Sequence, residues 1–71
     1  MSDLTYEILS YDSQEDFDNC NFYIEDEGII DLEDALKVKD TIIANTPERI
    51  VKVQSNDREY IEIFDEYGEI D

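Results

Sequence analysis

The stretch from Asp31 to Pro47, DLEDALKVKDTIIANTP, carries the clearest helical pattern in the chain and decides the predicted fold. One stripe recurs at the spacings i, i+3, i+4, i+7, i+10 and i+11, which a helix places on one face. Its members are Leu32, Ala35, Leu36, Lys39, Ile42 and Ile43. The alkyl stem of Lys39 can lie along an apolar surface, so this one charge does not break the stripe.

The ends of this helix are also marked in the sequence. Asp31 is predicted to be the N-cap, and Glu33 and Asp34 fall in the first turn, where the helix dipole favours anions. Pro47 ends the helix, because the residue before a proline avoids the helical conformation.

Two strands are predicted before the helix. In Leu4–Tyr11 the apolar residues alternate onto one face, which is typical of a half-buried strand. The polar tract Asp12–Asp18 is predicted to be a loop. A second strand follows, in which Cys20, Phe22 and Ile24 face inward, and a turn over Glu25–Gly28 ends it.

A hairpin is predicted after the helix, and it can form in two registers. A two-residue loop at Asn56-Asp57 would pair Val53 with Tyr60 and Val51 with Glu62, which puts a charge opposite a core residue. The preferred register has a three- or five-residue loop around Asn56-Asp57-Arg58. It pairs Val53 with Ile61, Val51 with Ile63, Lys52 with Glu62 and Ile50 with Phe64.

The predicted fold is therefore α+β with the order ββαββ: a four-stranded, largely antiparallel sheet with one helix on one face. Residues 1–71 are expected to form one small acidic domain, with an acidic tail from about Glu66. In this arrangement Ile50, Phe64, Tyr60 and Tyr23 lie on the sheet face opposite the helix. A homodimer through that face is one expectation, because the core of so short a chain is small.

Composition limits the chemistry that the chain can perform. Cys20 is the only cysteine and there is no histidine, so Cys–His and Ser–His nucleophilic sites are excluded and no enzyme is predicted. No EF-hand loop fits, since Phe17 and Asp31 stand where that loop needs glycine. We expect neither a metal nor another cofactor. With no membrane span and no basic signal region, a cytoplasmic protein is expected.

The charge balance is the strongest signal in the sequence. Twenty-one acids against five bases give a net charge of −16, and no base precedes Lys37. An apolar content of 41% argues against disorder. Salt adaptation and a generic acidic surface remain as alternatives. The third interpretation is a surface that a basic partner recognises.

The residues predicted to contact such a partner form two acidic groups with aromatic neighbours. Acids at such intervals resemble the charge pattern of a phosphate backbone. The aromatic residues would serve as anchors. The set comprises Asp12, Glu15, Asp16, Asp18, Tyr23, Glu25, Asp26, Glu27, Asp31, Glu33, Asp34, Glu59, Tyr60, Glu62, Phe64, Asp65, Glu66 and Glu69.

On the segments DSQEDFDNCNFYIEDEG, DLED and EYIEIFDEYGEID, the chain resembles the small acidic DNA-mimic proteins that phages and mobile elements encode. These anti-restriction and anti-CRISPR proteins share a composition rather than a motif. The resemblance implies inhibition of a host nucleic-acid-handling protein in the bacterial cytoplasm, by occupation of its DNA or RNA site. The chain itself would bind no nucleic acid and no membrane.

Two other functions remain open from the sequence. One is an acidic interaction module, such as an antitoxin-like or regulatory subunit, that binds a basic partner outside any nucleic-acid site. The other is a homodimeric structural protein. Simultaneous binding of the partner to this protein and to nucleic acid would exclude mimicry.

Overall fold

A computed structural model describes residues 3–69 of the chain. The elements in order are β1 (Tyr6–Tyr11), α1 (Gln14–Asp18), β2 (Tyr23–Ile29), α2 (Leu32–Asn45), β3 (Ile50–Ser55), β4 (Ile61–Asp65) and β5 (Gly68–Glu69). The five strands form one sheet in the order β2-β1-β3-β4-β5, and each neighbouring pair is antiparallel. The α+β class and the antiparallel sheet are confirmed. The order ββαββ and the number of strands are wrong, because a short helix and a fifth strand were not predicted.

Helix α2 confirms the helical prediction and covers one face of the sheet. It begins at Leu32 and ends at Asn45, and its Ala35 is completely buried. The core between the helix and the sheet consists of Ile8, Ala35, Val51, Val53 and Phe64, with other apolar side chains of α2 packed around them. The 3.6-residue period thus identified the buried face correctly.

The hairpin of β3 and β4 adopts neither of the two registers considered. Val51 pairs with Phe64 and Val53 with Glu62, one residue beyond the preferred register. The five-residue connection 56–60 sets this register. In it, the Ser55 N–H donates to the Tyr60 carbonyl at 2.9 Å and Arg58 has a left-handed φ of 63°. Phe64 therefore lies under the helix and not on the opposite face.

The second predicted strand begins later than expected. The inward placement of Cys20, Phe22 and Ile24 is wrong, since all three are exposed. Instead, α1 occupies part of the expected loop, and the Oγ of Ser13 caps it by accepting from the Asp16 N–H at 3.2 Å. Strand β2 then runs through the segment that was expected to form a turn.

Helix α1 covers one end of the sheet face away from α2. The ring of Phe17 meets Tyr11 edge-on at 4.9 Å between centroids, and Phe22 does so at 6.1 Å. These contacts bury Tyr11, which is 4% exposed. The rest of this face has no helix over it.

The predicted acidic tail is partly a strand. Glu66 and Tyr67 form a turn, and Asp65 accepts a hydrogen bond from the Tyr67 N–H at 2.8 Å. Gly68 and Glu69 then pair with β4, while positions 70 and 71 lie outside the described residues. Between residues 3 and 69, no helix is long and apolar enough to cross a membrane.

Candidate acidic interface

The sheet order separates the predicted acids into groups on opposite edges. Strand β2 forms one edge, and the start of α2 follows it directly in the chain. The acids of β4 and β5, together with those of the turns beside them, lie toward the other edge. With strands about 4.8 Å apart, the two edges are separated by roughly 19 Å. One narrow site on a partner would therefore contact one of these groups and not both.

The group on the β2 side, which we call the acidic edge, combines strand and helix residues. It consists of Asp26, Glu27, Asp31, Glu33 and Asp34, and all five are exposed. The two helix residues point away from the core because Leu32 and Ala35 occupy its inward stripe.

Asp31 is the N-cap residue of α2, as predicted. It stands at the N-cap position with extended backbone angles, but its side chain makes no capping hydrogen bond. The carboxylate therefore belongs to the exposed acids at the helix start.

The backbone of β2 is irregular along this edge. Its pairing with β1 shifts between Tyr6 and Ile8 and again between Ile8 and Leu9. Gly28 lies within one shift with a φ of +72°, a conformation that side chains other than glycine rarely adopt. Bulges of this kind disfavour the addition of another strand at the edge. The acidic edge therefore presents its side chains to a partner more readily than its backbone.

Two of the predicted interface acids are engaged inside the protein by Arg49. Its Nη1 donates to Oε1 of Glu25 at 2.9 Å and to Oγ of Ser10 at 3.2 Å, and its Nε donates to Oδ1 of Asp12 at 3.0 Å. The hydrogen bond with Asp12 raises the pKa of Arg49, so the guanidinium stays charged. The guanidinium also lies 5.1 Å from the ring centre of Tyr23.

The carboxylates of the acidic edge are not paired with a cation in this way. Within residues 3–69, the ion pairs are those of Lys39 with Asp40 and of Arg49 with Asp12 and Glu25. None of the five carboxylates of the acidic edge has a cationic partner there. Their charge is therefore available to an external cation.

The remaining predicted acids have varied surroundings. On α1, Glu15 and Asp18 are exposed and Asp16 is half-buried. Near the far edge, Glu59, Glu66 and Glu69 are exposed, whereas Glu62 and Asp65 are half-buried.

The predicted aromatic anchors are mostly part of the core. Phe64 is 7% exposed, and Lys39 Nζ lies 4.0 Å from the centre of its ring. Tyr60 is half-buried and meets Tyr6 edge-on at 5.8 Å between ring centroids. Their placement on the face opposite α2 is therefore wrong. Tyr23 also lies on the helix side by its pairing with Ser10, but at 55% exposure it remains accessible to a partner.

The hydroxyl of Tyr60 bonds to a predicted interface acid. Burial, together with the hydrogen bond from this hydroxyl to Glu62 and the charge of that carboxylate, raises the pKa of Tyr60 to about 12. Glu62 thus belongs to an internal contact on the helix side of the sheet.

The role of Arg49 was not predicted from the sequence. Its carboxylate partners lie 24 and 37 residues away in the chain, so no local pattern could indicate the contact. Among residues 3–69, no group of three or more acids or cysteines is arranged to hold a metal ion.

Comparison with family models, with curated proteins and with solved structures finds no match to this chain. The site must therefore be interpreted from its own geometry and charge.

Proposed function

We propose that this protein is an acidic inhibitor that occupies the basic DNA- or RNA-binding site of another protein by mimicking nucleic acid. The observation that carries the proposal is the acidic edge, whose five exposed carboxylates lack a cationic partner within residues 3–69. A large like charge left exposed in this way opposes folding, so it calls for a functional reason.

The spacing of the acids supports the same proposal. Asp31 and Asp34 stand three residues apart at the start of α2, and residues at this spacing on a helix surface lie about 5–6 Å apart. A Lys/Arg groove made for regularly spaced phosphates meets repeated anions at comparable intervals on this surface. Binding would release counterions in the same way as nucleic-acid binding, so it should weaken steeply with salt.

Most cations of the chain are engaged elsewhere in the fold. Lys39 and Arg49 are engaged in internal contacts. Lys52 and Arg58 line a groove on the sheet face away from α2. Lys37 is the exception: it is exposed on α2, three residues after Asp34 and four after Glu33, and forms no ion pair within residues 3–69.

The test is affinity capture from a bacterial lysate with the immobilised protein, at low and high salt. Substituting Asp31→Lys, Glu33→Lys and Asp34→Lys together should abolish capture of the partner. The matched control substitutes Asp3→Lys, Asp40→Lys and Glu48→Lys, which changes the charge equally at exposed positions outside the acidic edge. This control should retain most of the binding.

Two results would contradict the proposal. Equal loss of binding in both triple variants would show that only total charge matters. Retention that does not depend on salt would show that the contact is not led by charge.

A further inference from the structure

An apolar groove lies beside the acidic edge, at the point where β2 ends and α2 has not yet begun. It is lined by Asp3, Leu4, Thr5, Gly28 and Ile30. Its two apolar side chains are both exposed, Leu4 to 42% and Ile30 to 80%. An isoleucine that the fold leaves this exposed contributes little to the core, so its surface is available for contact with another molecule.

The shape of the apolar groove is fixed by the protein itself. Asn56 holds residues 3–5 by three hydrogen bonds. Its Nδ2 donates to the Asp3 carbonyl at 2.8 Å, its N–H donates to the Thr5 carbonyl at 2.8 Å, and its Oδ1 accepts from the Thr5 N–H at 3.3 Å. On the other side, no atom from elsewhere in the chain lies within 4 Å of the position where a Cβ of Gly28 would stand. A flat side chain can therefore approach the backbone closely there.

The charges beside the apolar groove are negative. Glu27 and Asp31 of the acidic edge flank the segment 28–30, and neither forms an ion pair within residues 3–69. No lysine or arginine lines the groove. An apolar surface between anions is also what a nucleic-acid base presents between its phosphates. It is complementary to a surface on which an apolar side chain stands between cations.

We infer that the apolar groove receives an aromatic side chain of the basic partner, flanked in that partner by lysine or arginine. The inference rests on the proposed function and names the class of the partner's binding site. Cations around exposed aromatic rings are typical of sites for single-stranded nucleic acid, where each ring stacks on a base. The apolar groove takes the place of such a base, and the carboxylates beside it take the place of the phosphates.

Two synthetic peptides of equal charge test this inference. Each carries two arginines on either side of a central residue, which is tryptophan in one peptide and serine in the other. The chain contains no tryptophan, so tryptophan emission reports on the peptide alone. This emission should shift to shorter wavelength on binding. Titration calorimetry should show that the tryptophan peptide binds at least about fivefold more tightly than the serine peptide, because one aromatic ring is removed from water.

A pair of variants locates the contact. Ile30→Asn should remove the preference for tryptophan and leave the affinity for the serine peptide unchanged, because it alters an exposed apolar side chain and no charge. The matched control is Ile61→Asn, which is 47% exposed on the sheet face away from α2 and should keep the preference. Salt should weaken the binding of both peptides in parallel, because they carry the same charge, so the ratio of their affinities should persist.

Three results would each overturn the inference: no difference between the two peptides, a preference that Ile30→Asn leaves unchanged, or a preference that disappears at high salt. None of them would contradict the proposed function, which requires only that the cations of a partner bind the acidic edge. The proposed function is tested separately, by competition between this chain and nucleic acid for the captured protein. The two failures are therefore distinguishable.

Discussion

Arg49 and Glu25, 24 residues apart in the chain, are joined by a hydrogen bond of 2.9 Å from Nη1 to Oε1. Through the same guanidinium, the connection between α2 and β3 is fastened to Asp12 and to the buried Ser10. The contact fixes one end of β2 and offsets part of the charge of two acids in a chain of high negative charge. It also marks where the acidic edge ends, since Asp26, Glu27, Asp31, Glu33 and Asp34 form no ion pair within residues 3–69.

Removing this guanidinium should destabilise the fold. For Arg49→Ala we expect a loss of about 1–2 kcal/mol in the free energy of unfolding, because charge-assisted hydrogen bonds to a half-buried cluster are lost. Urea denaturation followed by circular dichroism measures this loss. Lys37→Ala, at an exposed position of α2, serves as the control and should change stability little. A loss in Arg49→Ala no greater than in Lys37→Ala would contradict the structural role.

Phe64 should contribute to stability rather than to partner binding. Its ring is buried under α2 beside Lys39, so Phe64→Ala should lower the free energy of unfolding by about 3–4 kcal/mol. Phe22→Ala removes the same ring at 45% exposure and should cost clearly less. Comparing the two variants by urea denaturation at low protein concentration avoids any effect of self-association. Equal losses would contradict the observed register of β3 and β4.

Tyr60 should make stability fall at high pH. Its folded pKa of about 12 lies above the ordinary value of 10.0, so the folded state keeps a proton that the unfolded state releases. The contribution of Tyr60 to the free energy of unfolding is complete below pH 10.0 and is lost as the pH rises through about 12. The ultraviolet absorbance of tyrosinate, in wild type minus Tyr60→Phe, should show a component that titrates near the upper value. A component at the ordinary value would contradict the burial of this hydroxyl.

Local pattern was enough to predict helix α2 but not the neighbouring hairpin. The helix has one apolar stripe and a proline stop, so only one face could be buried. In β4 both faces carry apolar residues. Ile61 and Ile63 lie on one face, and Phe64 lies on the other face together with Glu62. Alternation could not decide between these faces. The conformation of the connection sets which face of β4 is buried. In this connection Arg58 has a positive φ, and Asp57 accepts hydrogen bonds from the Ser55 hydroxyl and from the Glu59 N–H at 3.0 Å.

The alternation of Phe22 and Ile24 was predicted correctly, but the face of the sheet on which they lie was predicted wrongly. Phe22 and Ile24 lie on the same side of the sheet as Leu9, but that side faces away from α2 and is not the core. A signal for α1 was present in Ser13 and Asp16, which have capping spacing. The acids of β2 and of the start of α2 could be grouped from sequence because they are consecutive. Their separation from the acids of β4 and β5 depends on the order of the strands in the sheet, which no local sequence pattern indicates.

Competition with nucleic acid tests the proposed function most directly. The protein captured from the lysate is first bound to a fluorescent DNA duplex, or in a parallel sample to a fluorescent RNA strand, and this chain is then added. Mimicry predicts that fluorescence anisotropy falls to the value of the free probe in at least one sample, and that the triple variant at Asp31, Glu33 and Asp34 displaces far less. A ternary complex of the partner, this chain and the probe, seen by gel filtration, would contradict mimicry and would favour an acidic interaction module that binds elsewhere on its partner.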